Sequence, residues 1–246
     1  YAFWHSGGML GYSTYLVGIP SLGIGAVAFV NGPGAPATIA RYATSALAAA
    51  IQNEPLPDPP GSPEPTHVEH PEQYAGNFVS PAGDSLTFAA SGDSLLLVQA
   101  GKRTPLETFG DDDAFLGPAP DFGMFPLRFG RDSAGITEAW YGERWYAGAR
   151  YRGARTFTAP AEWRAFTGHY RIMQPWEPTF RIVIRKGKLW WIGPEGEEDP
   201  LTPIGPREFR AGELGSAERL RFDHIVNGQA LSAAYSGMTY YRFFTP

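Results

Sequence analysis

Four consecutive residues near the start of the chain, His5-Ser6-Gly7-Gly8, combine groups that acyl chemistry uses. A histidine such as His5 carries positive charge or relays a proton near neutral pH. The Ser6 hydroxyl both donates and accepts hydrogen bonds. Glycine lets another molecule approach the backbone closely, because there is no Cβ in the way. On the edge of a sheet, an unpaired N–H at Gly8 would point at the oxygen that gains charge when an ester or amide carbonyl is attacked. Removing one such donor typically costs about 100- to 1,000-fold in rate. The plainer alternative for the same residues is a buried histidine beside a Gly-Gly turn.

The elements that would hold this motif follow directly in the chain. Tyr12–Ile19 reads as a strand ended by Pro20, with a turn at Ser21-Leu22-Gly23. Ile24–Val30 reads as a second strand, stopped by Asn31-Gly32-Pro33-Gly34. Their continuous apolar character predicts burial on both faces. Pro36 suits the first turn of a helix, in which Ile39, Ala43, Leu47 and Ile51 recur at helical spacing. Small alanines, with Ala46 and Ala50 between the stripe residues, would let that helix lie close on a sheet. From Tyr1 to Asn53 the only formally charged side chain is Arg41. A free-standing small domain carries charge over much of its surface, so this segment is expected to have protein cover on most sides.

This order, three strands and then a helix, resembles the end of the penicillin-recognising serine hydrolases. That family holds class C β-lactamases, DD-peptidases, D-aminopeptidases and related esterases. The triplet His5-Ser6-Gly7, then Gly8, Gly11-Tyr12-Ser13, Pro20, Gly23-Ile24-Gly25 and Asn31 carry the resemblance, which covers about the first fifth of the chain. It implies that residues 1–53 are the C-terminal segment of a β-lactamase/transpeptidase-like α/β domain. His5 and Gly8 then take catalytic positions, and Ser6 and Gly7 substrate-binding ones. The family forms an acyl-enzyme on a serine and passes the acyl group to water. Its Ser-x-x-Lys and Tyr-x-Asn elements occur nowhere in this sequence. The expectation is a companion polypeptide, or a missing N-terminal part of the same protein, that supplies them, with this chain inactive alone. A histidine where relatives have lysine leans toward a peptidase, D-aminopeptidase or esterase, with β-lactam recognition left open. The resemblance implies no metal or organic cofactor, and it points to a periplasmic or secreted enzyme.

Composition sets outer bounds. The chain has 246 residues, of which 43% are hydrophobic, enough for real cores. Thirty glycines and twenty-three prolines argue for many turns and against a helical protein. A net charge of −5 without a long basic run argues against nucleic-acid binding. The absence of cysteine excludes disulfides, a thiolate nucleophile and a cysteine-based zinc site. No apolar run reaches the roughly 18 residues of a membrane-spanning helix. The start does not read as a signal peptide.

Residues 54–71 contain seven prolines and few apolar side chains, which predicts an extended linker. His67 and His70 fall in this stretch without a scaffold to fix them, so a metal pair there is not expected.

The remainder holds a diverged internal repeat. Tyr74-Ala-Gly76-Asn-Phe78 answers Phe166-Thr-Gly168-His-Tyr170, and Leu127-Arg-Phe129 answers Leu220-Arg-Phe222. The offset stays between about 92 and 95 residues across four further pairings. Thr179–Ile184, the turn Lys186-Gly187 and Leu189–Ile192 read as a hairpin. Two small antiparallel β-barrels are expected, over residues 72–160 and 161–246. They resemble the lipocalin-like C-terminal modules of some D-aminopeptidases. The fold class expected for the chain is therefore mainly β, with one partial α/β segment in front.

Three roles stand open for the barrels. Trp140, Tyr141, Trp145, Tyr146, Trp176, Trp190 and Trp191 could line a ligand pocket, although small barrels usually fill their own interiors. Loops 117–125 and 174–178 are candidates for a lid. The barrels could also be structural and pair subunits as a homo-oligomer. The rival for the whole chain is a non-catalytic ligand-binding or interaction protein. The acidic groups at 111–113 and 195–199 read as solvated turns, lacking the spaced ligands of a calcium loop.

Overall fold

Antiparallel pairing dominates the chain, as its aromatic and β-branched runs between Gly, Pro and Asp turns predict. A computed structural model describes residues 1–32, 34–61, 64–110, 113–119 and 122–243. Strand accounts for 48% of the chain and helix for 12%, so the protein is mainly β. Two compact units are present: Tyr1–Pro63 with Gln174–Trp176, and Glu64–Met173 with Glu177–Pro246. No helix among the described residues is long and apolar enough to cross a membrane.

The first unit is a three-stranded sheet, β1 (Phe3–Met9), β2 (Tyr12–Ile19) and β3 (Ile24–Asn31), in that order. Helix α1 (Pro36–Gln52) starts with proline in its first turn and ends at Asn53, which is left-handed at φ 55°. Ala40, Thr44 and Ala49 form its buried side, and Ala37 and Ala40 pack with Tyr15, Val17 and Ala28 of the sheet. Alanines do make the close approach, but they are these and not Ala46 or Ala50, of which the second is exposed. The large residues of the predicted stripe point the other way: Ile39, Leu47 and Ile51 are each about half exposed. Burial on both faces of β2 and β3 is also not found. Tyr15, Val17 and Ala28 are buried, whereas Leu16, Val27 and Phe29 are exposed, Phe29 at 76%. Strand side chains alternate between faces, and α1 covers only one of them.

The proline-rich stretch divides in two. Its first part, up to residue 61, is irregular. Its second part belongs to the second unit: Val68 is buried in a core cluster, its N–H donates to the Asp93 carbonyl at 2.7 Å, and Thr108 N–H donates to the Pro65 carbonyl at 2.7 Å.

The repeat is visible strand by strand. The first copy has β4 (Gly76–Val79), β5 (Ser85–Ser91), β6 (Ser94–Gln99), β7 (Lys102–Pro105), β8 (Glu107–Thr108), β9 (Ala114–Leu116), β10 (Leu127–Asp132), β11 (Gly135–Tyr141) and β12 (Arg144–Ala147). The second has β13 (Gly168–Arg171), β14 (Thr179–Arg185), β15 (Lys188–Ile192), β16 (Glu198–Pro203), β17 (Glu208–Ala211), β18 (Arg219–Val226), β19 (Gln229–Tyr235) and β20 (Met238–Phe243). Strands β13 to β20 close into a barrel. The first copy is a nine-stranded barrel-like sheet whose order begins at β7 and ends at β8. Those two ends are successive pieces of one chain segment, parted at Leu106, so covalent continuity joins them. The equivalent strand β16 is unbroken and pairs on both sides.

Equivalent glycines share the same unusual backbone: Gly76 has φ 146° and Gly168 φ 150°. Each interior is filled by its own side chains. Phe78, Phe88, Phe115 and Phe129 meet edge to face in the first copy, and Tyr170, Phe180, Phe222 and Tyr240 are fully buried in the second. Asp111, Asp112, Pro120 and Asp121, parts of two segments singled out in the sequence, lie outside the described residues.

Candidate functional site

The motif His5-Ser6-Gly7-Gly8 lies in the middle of β1, every residue of which is exposed. Among the described residues β1 pairs only with β2, so it is an edge strand. The register sets His5 against Leu16, Ser6 against Tyr15, Gly7 against Thr14 and Gly8 against Ser13. Directly opposed residues share a face. Ser6 therefore sits on the α1 side of the sheet, with Tyr15, and His5 on the bare apolar side, with Leu16 and Val27. A Cβ at Gly7 would lie 2.9 Å from Thr14 Oγ1, which donates to the Gly7 carbonyl at 3.3 Å. Trp4 stacks on Tyr15 at 5.7 Å between centroids, and the Tyr15 hydroxyl accepts from Arg41 Nη2 at 2.7 Å. The single charge of the segment is thus spent on β2. His5 makes no side-chain hydrogen bond among the described residues. The strand can present a histidine, a hydroxyl and bare backbone to a substrate, but it holds no nucleophile paired with a base.

A second cluster was only partly legible in the sequence, through its tryptophans. The hairpin joining β14 to β15 turns at Lys186 (φ 51°) and Gly187 (φ 73°), the left-handed pair of a two-residue hairpin. Lys186 at its tip enters an aromatic and acidic setting on the first copy, and Arg185 beside it is held between Glu198 and Trp190 of its own copy and Trp140 and Gly142 of the first. The Arg185 guanidinium donates to Glu198 at 2.6 and 3.2 Å and to the Gly142 carbonyl at 2.9 Å. It stands 5.0 Å from the Trp140 ring and 4.4 Å from the Trp190 ring, and Trp140 Nε1 donates to Glu198 at 2.9 Å. The Lys186 ammonium donates to Glu138 at 2.6 Å and lies 5.1, 5.2 and 5.8 Å from Trp145, Tyr151 and Phe157. Trp145 Nε1 also donates to Glu138. Each group is therefore a cation, a carboxylate and an indole that donates to that carboxylate.

Above the Arg185–Glu198 pair opens a cleft of about 700 Å³, lined by Arg128, Trp140, Trp190, Glu195, Glu197 and Glu198. Burial pushes the Glu197 carboxyl above the usual carboxylate range, against the pull of its own and the Glu195 backbone N–H. Arg128 Nη2 donates to the Gly196 carbonyl at 2.7 Å. The indole N–H of Trp190 is buried without a hydrogen bond among the described residues.

The remaining aromatic candidates are distributed by the fold. Tyr146 and Trp191 are buried in the two cores, and Trp176 is exposed. His67 and His70 do not meet: His67 Nδ1 is 3.0 Å from Asp93, which raises the His67 pKa, and His70 faces Glu72 at 3.3 Å. Ligand atoms of Glu64, His67 and Asp93 lie within 4.8 Å of one another, all three exposed. Asp113 accepts from the Tyr74 hydroxyl at 2.5 Å and from Arg131 at 3.0 and 3.1 Å, a buttress at one end of the first copy. No known family model matches the chain, and no curated protein matches it either.

Proposed function

We propose that residues 1–53 are the closing strands and helix of a penicillin-recognising type of serine hydrolase domain, followed by two lipocalin-like modules. The reactive serine, its lysine and the Tyr-x-Asn element are supplied by protein outside this chain. The reading rests on one observation: the sheet that carries His5 is covered by α1 on one face and leaves Leu16, Val27 and Phe29 bare on the other. Burying a side chain of that size is worth about 1.5–3 kcal/mol, so a partner layer on that face would be strongly favoured. His5 points to the same face, where an incoming nucleophile would have to stand.

In this reading the serine oxygen attacks an amide or ester carbonyl and the amine or alcohol leaves. Water then releases the acyl group. The Gly8 N–H donates to the oxygen that becomes negative, and Gly7 keeps the strand open to close approach. Ser6 and His5 lie on opposite faces of β1, so a substrate aligned along the edge meets one from each side. His5 supplies charge or carries a proton. A peptidase, D-aminopeptidase or esterase fits this set.

The experiment is active-site labelling of the full-length protein with a fluorescent fluorophosphonate and a fluorescent penicillin. The fluorophosphonate labels the full-length protein and leaves residues 1–246 unlabelled. His5→Ala lowers the labelling rate at least tenfold without moving the denaturation midpoint. A full-length protein that takes up neither probe overturns the hydrolase reading. Labelling of residues 1–246 alone overturns the placement of the nucleophile.

A further inference from the structure

We propose that the cleft between the two β modules binds a small organic cation with an ammonium head group. This stands apart from the hydrolase reading, because it uses none of the residues of β1. A volume of about 700 Å³ falls within the roughly 300–1,000 Å³ of small-molecule sites. Two indoles, Trp140 and Trp190, form part of its lining. An indole attracts a cation within about 6 Å of its ring. The structure already shows these two indoles doing so, since both flank the Arg185 guanidinium.

The charges select the sign of the ligand. Glu198 is neutralised by Arg185. Glu195 and Glu197 also line the cleft, and neither forms an ion pair among the described residues. Arg128 is turned to the Gly196 carbonyl. An anion would meet two carboxylates. A neutral apolar ligand would strip water from them and return nothing, which is costly. A cation meets them favourably and offsets the burial that already disfavours the charged form of Glu197.

Isothermal titration of the chain with n-butylammonium chloride and with tetramethylammonium chloride tests this, at ionic strength held constant with sodium chloride. The expected result is saturable binding at one site, with no saturable heat from n-butanol. Glu197→Gln weakens that binding at least tenfold. Glu195→Gln, on an exposed turn and safe for folding, weakens it several-fold. Absence of saturable heat with both cations, an equal response to n-butanol, or unchanged affinity in both variants overturns the proposal. Saturation with n-butylammonium but not with tetramethylammonium supports it and narrows the ligand to a head group that donates hydrogen bonds.

Discussion

Arg185 and Glu198 stand 2.6 Å apart at the junction of the two β modules, their side chains 3% and 6% exposed. Both come from the second module, yet the pair is completed by the first: Trp140 donates to the carboxylate and Gly142 accepts from the guanidinium. A charge pair so deeply buried is retained only with its remaining hydrogen bonds satisfied.

Removing one member leaves the other charged and buried. Arg185→Ala and Glu198→Gln are each expected to lower unfolding free energy by about 3–5 kcal/mol, the usual cost of breaking a buried pair. Urea denaturation measures it. A loss under about 1 kcal/mol for both would mean that water reaches the pair.

Lys186 and Glu138 make the lesser link, because they are 30% and 20% exposed. Lys186→Met keeps the stem packed against the aromatic rings and removes the charge. The expected loss is about 1–2 kcal/mol, from the ion pair and the cation–π contacts together. A double-mutant cycle with Glu138→Gln isolates the ionic share, and a coupling near zero would assign the whole effect to packing.

His169 in the second barrel governs an acid limb of stability. Burial, then Arg181 and Arg171, push its pKa down to about 4 from an ordinary value of 6.5. The unfolded chain binds the proton first, so the stabilisation is complete above pH 6.5 and is lost as pH falls from 6.5 toward 4. His169→Gln should flatten that part of the pH–stability curve, measured as the wild-type-minus-variant difference in urea midpoints. NMR titration of the imidazole gives the folded pKa directly. A midpoint above pH 6 would sink the prediction.

Gly168 holds a φ of 150° beside Arg242, and a Cβ there would collide with the guanidinium. Arg242 donates to the carbonyls of Ala230, Thr167 and Ala165 and to the Tyr170 hydroxyl, lacing the barrel where β13 meets β20. Gly168→Ala is expected to cost at least about 2 kcal/mol, from backbone strain plus displaced hydrogen bonds. Gly228→Ala, at a turn with open space around it, should cost less because only the backbone is strained. Thermal unfolding of both variants compares them, and equal losses would show that Arg242 moves aside freely.

Phe29 reports on the bare sheet face. Phe29→Ser in residues 1–246 should change stability by under about 0.5 kcal/mol, as for other exposed positions, and reduce self-association in sedimentation velocity. If the proposed partner layer covers this face, the same change in a protein that carries the layer should destabilise by about 1.5–3 kcal/mol. Equal, small effects in both would remove the argument for a partner layer.

Local signals were enough for much of the fold. The steady offset between Tyr74-Ala-Gly76 and Phe166-Thr-Gly168 reflects two copies of one barrel plan, down to the φ of the glycines. Lys186-Gly187 announced its hairpin because a tight turn needs left-handed residues at fixed places. That alanines would make the contact surface of α1 was right in kind but not in position: Ala37, Ala40 and Ala49 make it, while Ala46 is half-buried and Ala50 exposed. Its Ile39, Leu47 and Ile51 stripe was misjudged, because periodicity marks an apolar side without saying what lies against it.

The functional geometry was mostly out of reach. Trp140 was singled out as an aromatic and Glu198 only as part of an acidic group taken for a solvated turn; instead Glu198 is buried against Arg185, and it accepts from the Trp140 indole 58 residues away. Lys186 and Glu138 are 48 residues apart, and Asp93 lies 26 residues beyond His67. Nothing local links such partners. Sequence alone determined the strand content, the duplicated modules and the run of chemical groups in His5-Ser6-Gly7-Gly8, because backbone preference and side-chain alternation act over a few residues. Only tertiary structure decided that Ser6 takes the face covered by α1 and His5 the bare one, and that two modules enclose a carboxylate-lined cleft. Those outcomes depend on register and barrel closure, which are set by contacts between residues far apart in the chain.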